Sequence, residues 1–177
     1  FLFLLFLWGW FTNIFNFMDG IDGMSGVESV SICLGIVIVA VVTGWKPLGQ
    51  EYALGLAGVS LGFLWWNWQP AKVFLGDVGS IPLGFLIGWL LFGLAFKGYY
   101  IQAFILPLYY IVDATLTIFI RLFNSRKIWE PHRDHFYQQA VRGGLSHSQV
   151  SLTVAFLNVF LIGFSVLALY FPLVGLL

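Results

Sequence analysis

The chain has 177 residues, of which 60% are hydrophobic and only 9% charged, with eight basic residues balancing eight acidic ones. A mean hydropathy of +0.92 excludes an ordinary soluble domain, where about a quarter of residues are charged, and the balanced charge gives no basic surface for nucleic acid. The single Cys33, inside an apolar run, excludes a disulfide framework and a cysteine-based metal site.

A bilayer core about 30 Å thick requires about 20 apolar residues per helical span. Within lipid, only helices and closed barrels satisfy their own backbone. Runs such as FLIGWLLFGLAF are apolar on both faces, whereas barrel strands alternate. The pattern predicts an all-α, polytopic integral membrane bundle with about six transmembrane helices, forming a single membrane domain over 1–177. In chain order the helices are expected at about 1–17, 26–43, 52–68, 81–96, 100–121 and 148–170. Pro47, Pro70 and Pro131 fall in connections. Pro82 is expected near the first turn of the fourth helix, where its missing N–H is harmless. Pro107 is expected to kink the fifth. The chain opens on Phe1 in apolar sequence, without a charged leader, and so reads as the interior of a longer protein.

Counting spans places the connections 18–25, 69–80 and 122–147 on one membrane face. That face collects Lys72, Arg121, Arg126, Lys127, Arg133 and Arg142, against Lys46 and Lys97 on the other. The excess of cations assigns the first face to the cytoplasm. The same face carries three polar clusters: NFMDGIDG at 16–23, FLGDVGS at 74–80 and PHRDHFYQ at 131–138.

In the first cluster Asn13, Asn16, Asp19 and Asp22 recur every third residue, so a helix would turn several of them towards one cavity. Gly20 and Gly23 permit close approach or a positive φ. Paired carboxylates with amides suit a hydrated Mg²⁺ or a ribose and base, since hard cations take oxygen ligands; the bland alternative is a capped helix terminus. In the second cluster Asp77 stands between glycines before a charge-free helix, as a metal ligand or as a cap, a role Ser80 could also fill. Asn67, Lys72 and Phe74 offer an amide, a charge and a stacking ring, although a single Phe among 19 carries little weight. In the third, His132 and His135 with Arg133 and Arg142 form a set that would bind a diphosphate. Two histidines without cysteine make a poor zinc site, and Arg126 and Lys127 read as ordinary loop cations. His147 reads as structural. Asp113 lies inside the fifth helix, about 12 Å from its end at 1.5 Å per residue, and an intramembrane carboxylate is a functional candidate. Pairing with Arg121 or bonding to Thr115 is its structural alternative.

The motifs TNIFNFMDGIDGMSG, FLWWNWQPAKVFLGDVGS and PHRDHFYQQA, in this order and separated by membrane helices, resemble those of the polyprenyl-phosphate N-acetylhexosamine-1-phosphate transferases over about residues 12–140. The resemblance implies a Mg²⁺-dependent membrane enzyme, with Mn²⁺ as the alternative ion. It would transfer a sugar 1-phosphate from a UDP-N-acetylhexosamine to undecaprenyl phosphate, releasing UMP and initiating a cell-envelope glycan. Such enzymes lie in the bacterial inner membrane with the active site facing the cytoplasm, and a homodimer is compatible with this reading. Carried over by motif, Asn16, Asp19 and Asp22 would line the nucleotide and metal site, with Asn13 beside them. Asp77 would ligate the metal, with Asp22 as a further candidate. Asn67 and Phe74 would contact the uracil, with Lys72 and Ser80 nearby. His132, Arg133 and His135 would hold the diphosphate.

Two departures stand out. The family's paired aspartates in an earlier loop lie outside this sequence, which therefore reads as the C-terminal part of a transferase and, alone, as catalytically incomplete. The histidine motif is HRDHFYQ, not the triple histidine of the muramoyl-pentapeptide enzymes, and looks closer to the O-antigen initiators. The rival from another class is an ion-coupled transporter using intramembrane carboxylates. It would place its site near the midplane, with Asp113 as the best support.

Overall fold

The computed structural model describes residues 2–44, 50–127 and 132–171, all of whose regular elements are helices. The helices are α1 (Leu2–Phe17), α2 (Met24–Thr43), α3 (Gln50–Asn67), α4 (Gly76–Phe96), α5 (Tyr100–Ile105), α6 (Leu108–Phe123), α7 (Phe136–Arg142) and α8 (His147–Leu167). By length and hydropathy alone, α2, α4 and α8 are able to cross a membrane, and α1 is a shorter apolar helix. With outward rings and aliphatics such as Phe6, Trp65 and Phe156 facing the surroundings, the chain is a multi-pass membrane protein. Lys46, Pro47 and Pro131 lie outside the described residues.

The bundle is organised by α2, which packs against α3 on one side and α8 on another, while α1 packs along α4. Trp8 locks the α1–α4 pair: its ring stacks on Phe85 with centroids 4.6 Å apart, and its indole N–H donates to the Phe85 carbonyl at 3.0 Å. Phe15, Met18, Met24, Ile32, Ile36, Ile87, Leu94 and Tyr110 form the buried centre. Because lipid is as apolar as these side chains, close packing and interhelical hydrogen bonds hold the helices together. One such bond joins α2 to α8, where buried Asn158 donates to Glu28 Oε2 at 2.7 Å.

Two helix boundaries differ from the sequence expectation. The fourth helix begins at Gly76, so Asp77, Gly79, Ser80 and Pro82 all lie within it. No side chain caps this helix, and Ser80 Oγ instead donates back to the Gly76 carbonyl at 3.0 Å, which removes the capping roles considered for Asp77 and Ser80. At Pro107 the fifth helix does more than kink: it divides into α5 and α6, with Pro107 at the junction. A proline lacks the N–H that would continue the ladder and its ring crowds the preceding turn.

Candidate active site

Contacts between loops bring the three polar clusters to one end of the bundle. α1 ends at Phe17, so Asp19 and Asp22 occupy the turn into α2 and do not continue a helical stripe. Gly23 makes that turn with φ of 81°, a conformation open to glycine at little steric cost. Its N–H donates to Asn67 Oδ1 at 2.8 Å, and Asn67 Nδ2 donates to the Val73 carbonyl at 2.9 Å. Buried Asn67 thus clips the first cluster to the second, with both ends of its amide occupied.

Asp22 is held from several directions. Its carboxylate accepts the Ala71 N–H at 3.2 Å, and its carbonyl accepts from Ser151 Oγ at 2.9 Å. His147 Nδ1 accepts the Asp22 N–H at 3.3 Å and lies 3.4 Å from Asp22 Oδ1. On the neighbouring wall, Asn16 Nδ2 donates to Asp77 Oδ1 at 2.9 Å and to Ser80 Oγ at 2.8 Å, tying the end of α1 to the start of α4. Burial raises the Asp19 carboxyl above its ordinary value; a Ser25 hydrogen bond opposes this, and the negative charge of Asp77 adds to it.

These residues surround a cavity of about 330 Å³, lined by Asp19, Gly20, Ile21, Asp22, Asn67, Phe74, Leu75, Gly76 and His147. Among the described residues no Lys or Arg makes a salt bridge to Asp19, Asp22 or Asp77. The cavity therefore presents acidic oxygens with an imidazole at one edge and an exposed aromatic ring, Phe74, at the other.

The third cluster is anchored differently. Asp113, 1% exposed, accepts five hydrogen bonds: from His135 Nδ1 at 3.0 Å, the Phe136 and Tyr137 N–H groups at 3.2 and 3.3 Å, Tyr109 OH at 3.3 Å and Thr117 Oγ1 at 3.4 Å. Its partners are thus His135 and Thr117, not the Arg121 and Thr115 expected from the sequence. Arg121 pairs with Asp134 and donates to the Lys127 carbonyl. The Arg121 hydrogen bond holds Asp134 below the ordinary carboxylate range. Burial, then the Arg121 charge, lowers His132, which favours its neutral form near pH 7. The His132 and His135 ring centroids are 5.1 Å apart, and the buried His132 Nδ1 has no hydrogen-bond partner among the described residues.

Tyr137 joins this region to the first cluster. Its ring stacks on His135 at 5.7 Å, and its hydroxyl donates to the Phe17 carbonyl at 3.1 Å. A Cβ added at Gly20 would fall 2.1 Å from that hydroxyl, so Gly20 serves close approach.

Of the residues proposed from sequence, Asp19, Asp22, Asn67 and Phe74 share the cavity, and Asn16, Asp77 and Ser80 form the adjoining hydrogen-bonded wall. His132 and His135 lie together in the anchored third cluster. Asn13, Lys72 and Arg133 are exposed and line none of the cavities described here. Lys72 Nζ lies 5.7 Å from the Trp66 ring centroid. Sequence reasoning missed three residues. His147, read as structural, lines the cavity, and its signal was position at the start of a helix on the polar face. Tyr137 had a signal in its place inside HRDHFYQ. Glu28, a lone acid in an apolar helix, warranted the attention given to Asp113.

A model of "Glycosyl transferase family 4" matches residues 1–95. A protein of Bacillus subtilis (strain 168) named "Probable undecaprenyl-phosphate N-acetylglucosaminyl 1-phosphate transferase" is 35% identical over 163 residues, covering 89% of this chain and 45% of that protein. The "Phospho-N-acetylmuramoyl-pentapeptide-transferase" of Moorella thermoacetica is 43% identical over 79 residues, covering 45% of this chain and 24% of its own length. The protein of the same name in Chlamydia muridarum is 40% identical over 79 residues, covering 44% and 24%. The chain spans less than half the length of these relatives.

Proposed function

The chain belongs to glycosyl transferase family 4, and on that premise we propose that the full-length protein transfers a sugar 1-phosphate from a UDP-N-acetylhexosamine to undecaprenyl phosphate, releasing UMP. The product would be the lipid diphosphate sugar that initiates a cell-envelope glycan, made in a bacterial inner membrane with the site facing the cytoplasm. The observation that carries this reading is the acidic cavity, without Lys or Arg salt bridges among the described residues, joined through Tyr137 to a histidine–arginine cluster. Transfer of a phosphoryl group needs a cation at the phosphate oxygens and positive groups where charge develops.

The donor set fits Mg²⁺ better than a transition metal. Among the described residues no group of three His, Cys, Asp or Glu side chains converges as a metal cage. Mg²⁺ is commonly held by one or two carboxylates together with substrate phosphates and water. Asp19 and Asp77 interact as like charges, and a cation beside them relieves that repulsion. Asp77 and Asp19 would hold the ion, with Asp22 at the cavity's edge already engaged by Ala71 and His147. When bound, the metal supplies charge neutralisation at the phosphate oxygens.

The protein's own groups do the positioning. Phe74 offers its exposed ring to the base, and Asn67 holds the Phe74-bearing loop against Gly23. Asn16 aims Asp77 by donating to one carboxylate oxygen, leaving the other for ligation. Asp113 accepts the Nδ1 proton of His135, which leaves Nε2 as that ring's remaining polar atom. His132, Arg133 and His135 act on the diphosphate. The HRDHFYQ motif and the longer match to the Bacillus subtilis relative support a donor without attached peptide. The transporter reading has little support from Asp113, since that carboxylate is occupied in holding α7.

The test uses the full-length protein with UDP-N-acetylglucosamine, undecaprenyl phosphate and Mg²⁺. Release of UMP with a sugar-bearing, organic-extractable product is expected, and chelation should abolish it. Counterflow of substrate in vesicles without UMP release would overturn the reading. Asp77→Asn should lower turnover by about a hundredfold or more; wild-type turnover would remove Asp77 from the metal site.

A further inference from the structure

We propose that His147 reads the base of the bound nucleotide, so that the first turn of α8 makes the acidic cavity selective for uracil over cytosine. The inference rests on the UDP-sugar reading above and assigns a contact which that reading leaves open. Of the polar side chains described around the cavity, Asp19 and Asp22 are acids, and Asn67 is bonded at both ends of its amide. His147 is the remaining one, and its side chain is 33% exposed.

The hydrogen bonds of the ring fix where its proton sits. Nδ1 accepts the Asp22 N–H at 3.3 Å, so the imidazole carries its proton on Nε2. Among the described residues Nε2 has no hydrogen-bond partner, which leaves it as a donor for a ligand. An open acceptor stands beside it. Asp22 Oδ2 accepts the Ala71 N–H at 3.2 Å, whereas Oδ1 has only His147 Nδ1 near it, 3.4 Å away and itself an acceptor.

A donor and an acceptor side by side match the imide edge of uracil. Its N3–H faces Asp22 Oδ1 while the neighbouring carbonyl accepts from His147 Nε2. Cytosine reverses both groups, with an acceptor at N3 and an amine beside it. A ribose hydroxyl both donates and accepts, so an ordered pair gains nothing from it, and a phosphate oxygen is repelled by the Asp22 carboxylate. The pair is also held rigidly. The Ser148 N–H donates to Gln69 Oε1 at 2.7 Å, and Ser151 Oγ donates to the Asp22 carbonyl at 2.9 Å. The start of α8 is thus bonded to both polar segments of the cavity, which lowers the ordering cost of binding.

The test is calorimetric binding of UMP, CMP, 2′-deoxy-UMP and 3-methyl-UMP to the purified full-length protein with Mg²⁺. UMP should bind about tenfold or more tightly than CMP or 3-methyl-UMP. Two substitutions separate the ring nitrogens. His147→Asn keeps an acceptor near Nδ1 and removes the distal donor; it should weaken UMP about tenfold, spare CMP and so abolish the preference. His147→Gln keeps a donor near Nε2 and should retain most of the preference. The ratio of UMP to 2′-deoxy-UMP affinity should move in neither variant. A full base preference in His147→Asn overturns the inference, and its loss in His147→Gln alone does so too, by assigning the ring to holding the Asp22 N–H. A changed ribose ratio with base preference intact also overturns it. On the unsubstituted protein, 3-methyl-UMP binding as tightly as UMP is sufficient to do so without any variant. A base preference that depends on His147, in a protein that transfers no sugar phosphate, would sink the transferase reading alone. UMP release with the preference unchanged in His147→Asn would sink this one alone.

Discussion

The two polar regions at the same end of the bundle are built on opposite electrostatic plans. In the acidic cavity and its adjoining wall, Asp22 and Asp77 face a backbone N–H, an imidazole and an amide, and no Lys or Arg is salt-bridged to Asp19, Asp22 or Asp77 among the described residues. In the histidine–arginine region each carboxylate has a strong partner: Asp113 has His135 and two backbone donors, and Asp134 has Arg121 and Arg126. The first region is under-neutralised and suited to receive positive charge. The second is internally satisfied, and its carboxylates act as struts that set the position of cationic and imidazole groups. Charge of the same sign is thus left largely open in one place and serves architecture in the other.

The largest effect expected from breaking this contrast is in the strut. Asp113→Ala leaves the His135 ring and the Phe136 and Tyr137 N–H groups without their acceptor, at about 1–3 kcal/mol for each buried donor. The substitution should abolish a monodisperse, folded protein in detergent, as read by size exclusion and thermal unfolding. A stable variant with only reduced turnover would show that α7 is held by other contacts.

Substitutions in the cavity should behave in the reverse way. Asp19→Asn should preserve the thermal midpoint or raise it slightly, because it removes a carboxylate disfavoured by burial and by the nearby Asp77. Turnover and Mg²⁺ affinity of the full-length protein should nevertheless fall by about a hundredfold. A parallel loss of stability and turnover would place Asp19 among the struts.

An intermediate effect is expected at Asn67→Ala, which frees the Gly23 N–H and the Val73 carbonyl. A loss of about 1–3 kcal/mol is expected in unfolding measurements, together with a raised KM for the UDP-sugar as Phe74 loses its support. A change in kcat alone would assign the amide to the chemistry.

The pH response distinguishes the regions again. A carboxyl raised by burial takes up a proton at higher pH than an ordinary Asp, so Mg²⁺ binding through Asp19 should strengthen as pH rises through that raised value and weaken below it. Asp134 has the opposite sign. Its lowered value means that its stabilising pair with Arg121 is complete above the ordinary carboxylate range and is lost only as pH falls through the lowered one. Titrating Mg²⁺ affinity and thermal midpoint together between mildly acidic and neutral pH should show affinity falling first.

The smallest effect is expected at the contact between α2 and α8. Among the described residues, buried Glu28 Oε1 and Asn158 Oδ1 have no hydrogen-bond partner. Glu28→Gln keeps an acceptor for Asn158 and replaces the unpartnered Oε1 with a donor close to the unpartnered Asn158 Oδ1. A gain of about 1 kcal/mol in unfolding is expected, and a loss would show that the acid itself is required.

Much of this organisation was legible in the residues. Asp19, Asp22, Asn67 and Phe74 declared themselves because polar groups are rare in so apolar a chain, and they do share a cavity. The helix expected from about residue 148 begins at His147, where Ser146 and Gln149, not singled out from the sequence, exchange hydrogen bonds with each other's backbone N–H groups. Asn13 and Asn16 lie within α1 but Asp19 and Asp22 follow its end at Phe17, so the three-residue spacing does not run as one helical stripe through all four. Pro82 misplaced the start of α4, since proline marks a first turn only as a tendency, and Gly76 begins the helix instead.

By itself, the sequence determined the all-helical membrane class, the single polar end and the residue types available there, because hydropathy and charge act locally along the chain and each span reverses direction. Which acids are enclosed by donors and which are left open was decided only by tertiary structure. Asp113 and Asp77 look alike as letters in apolar surroundings. One is buried under five donors, the other exposed beside a single amide. A carboxylate's role is set by the donors and charges around it, and these come from segments distant in sequence.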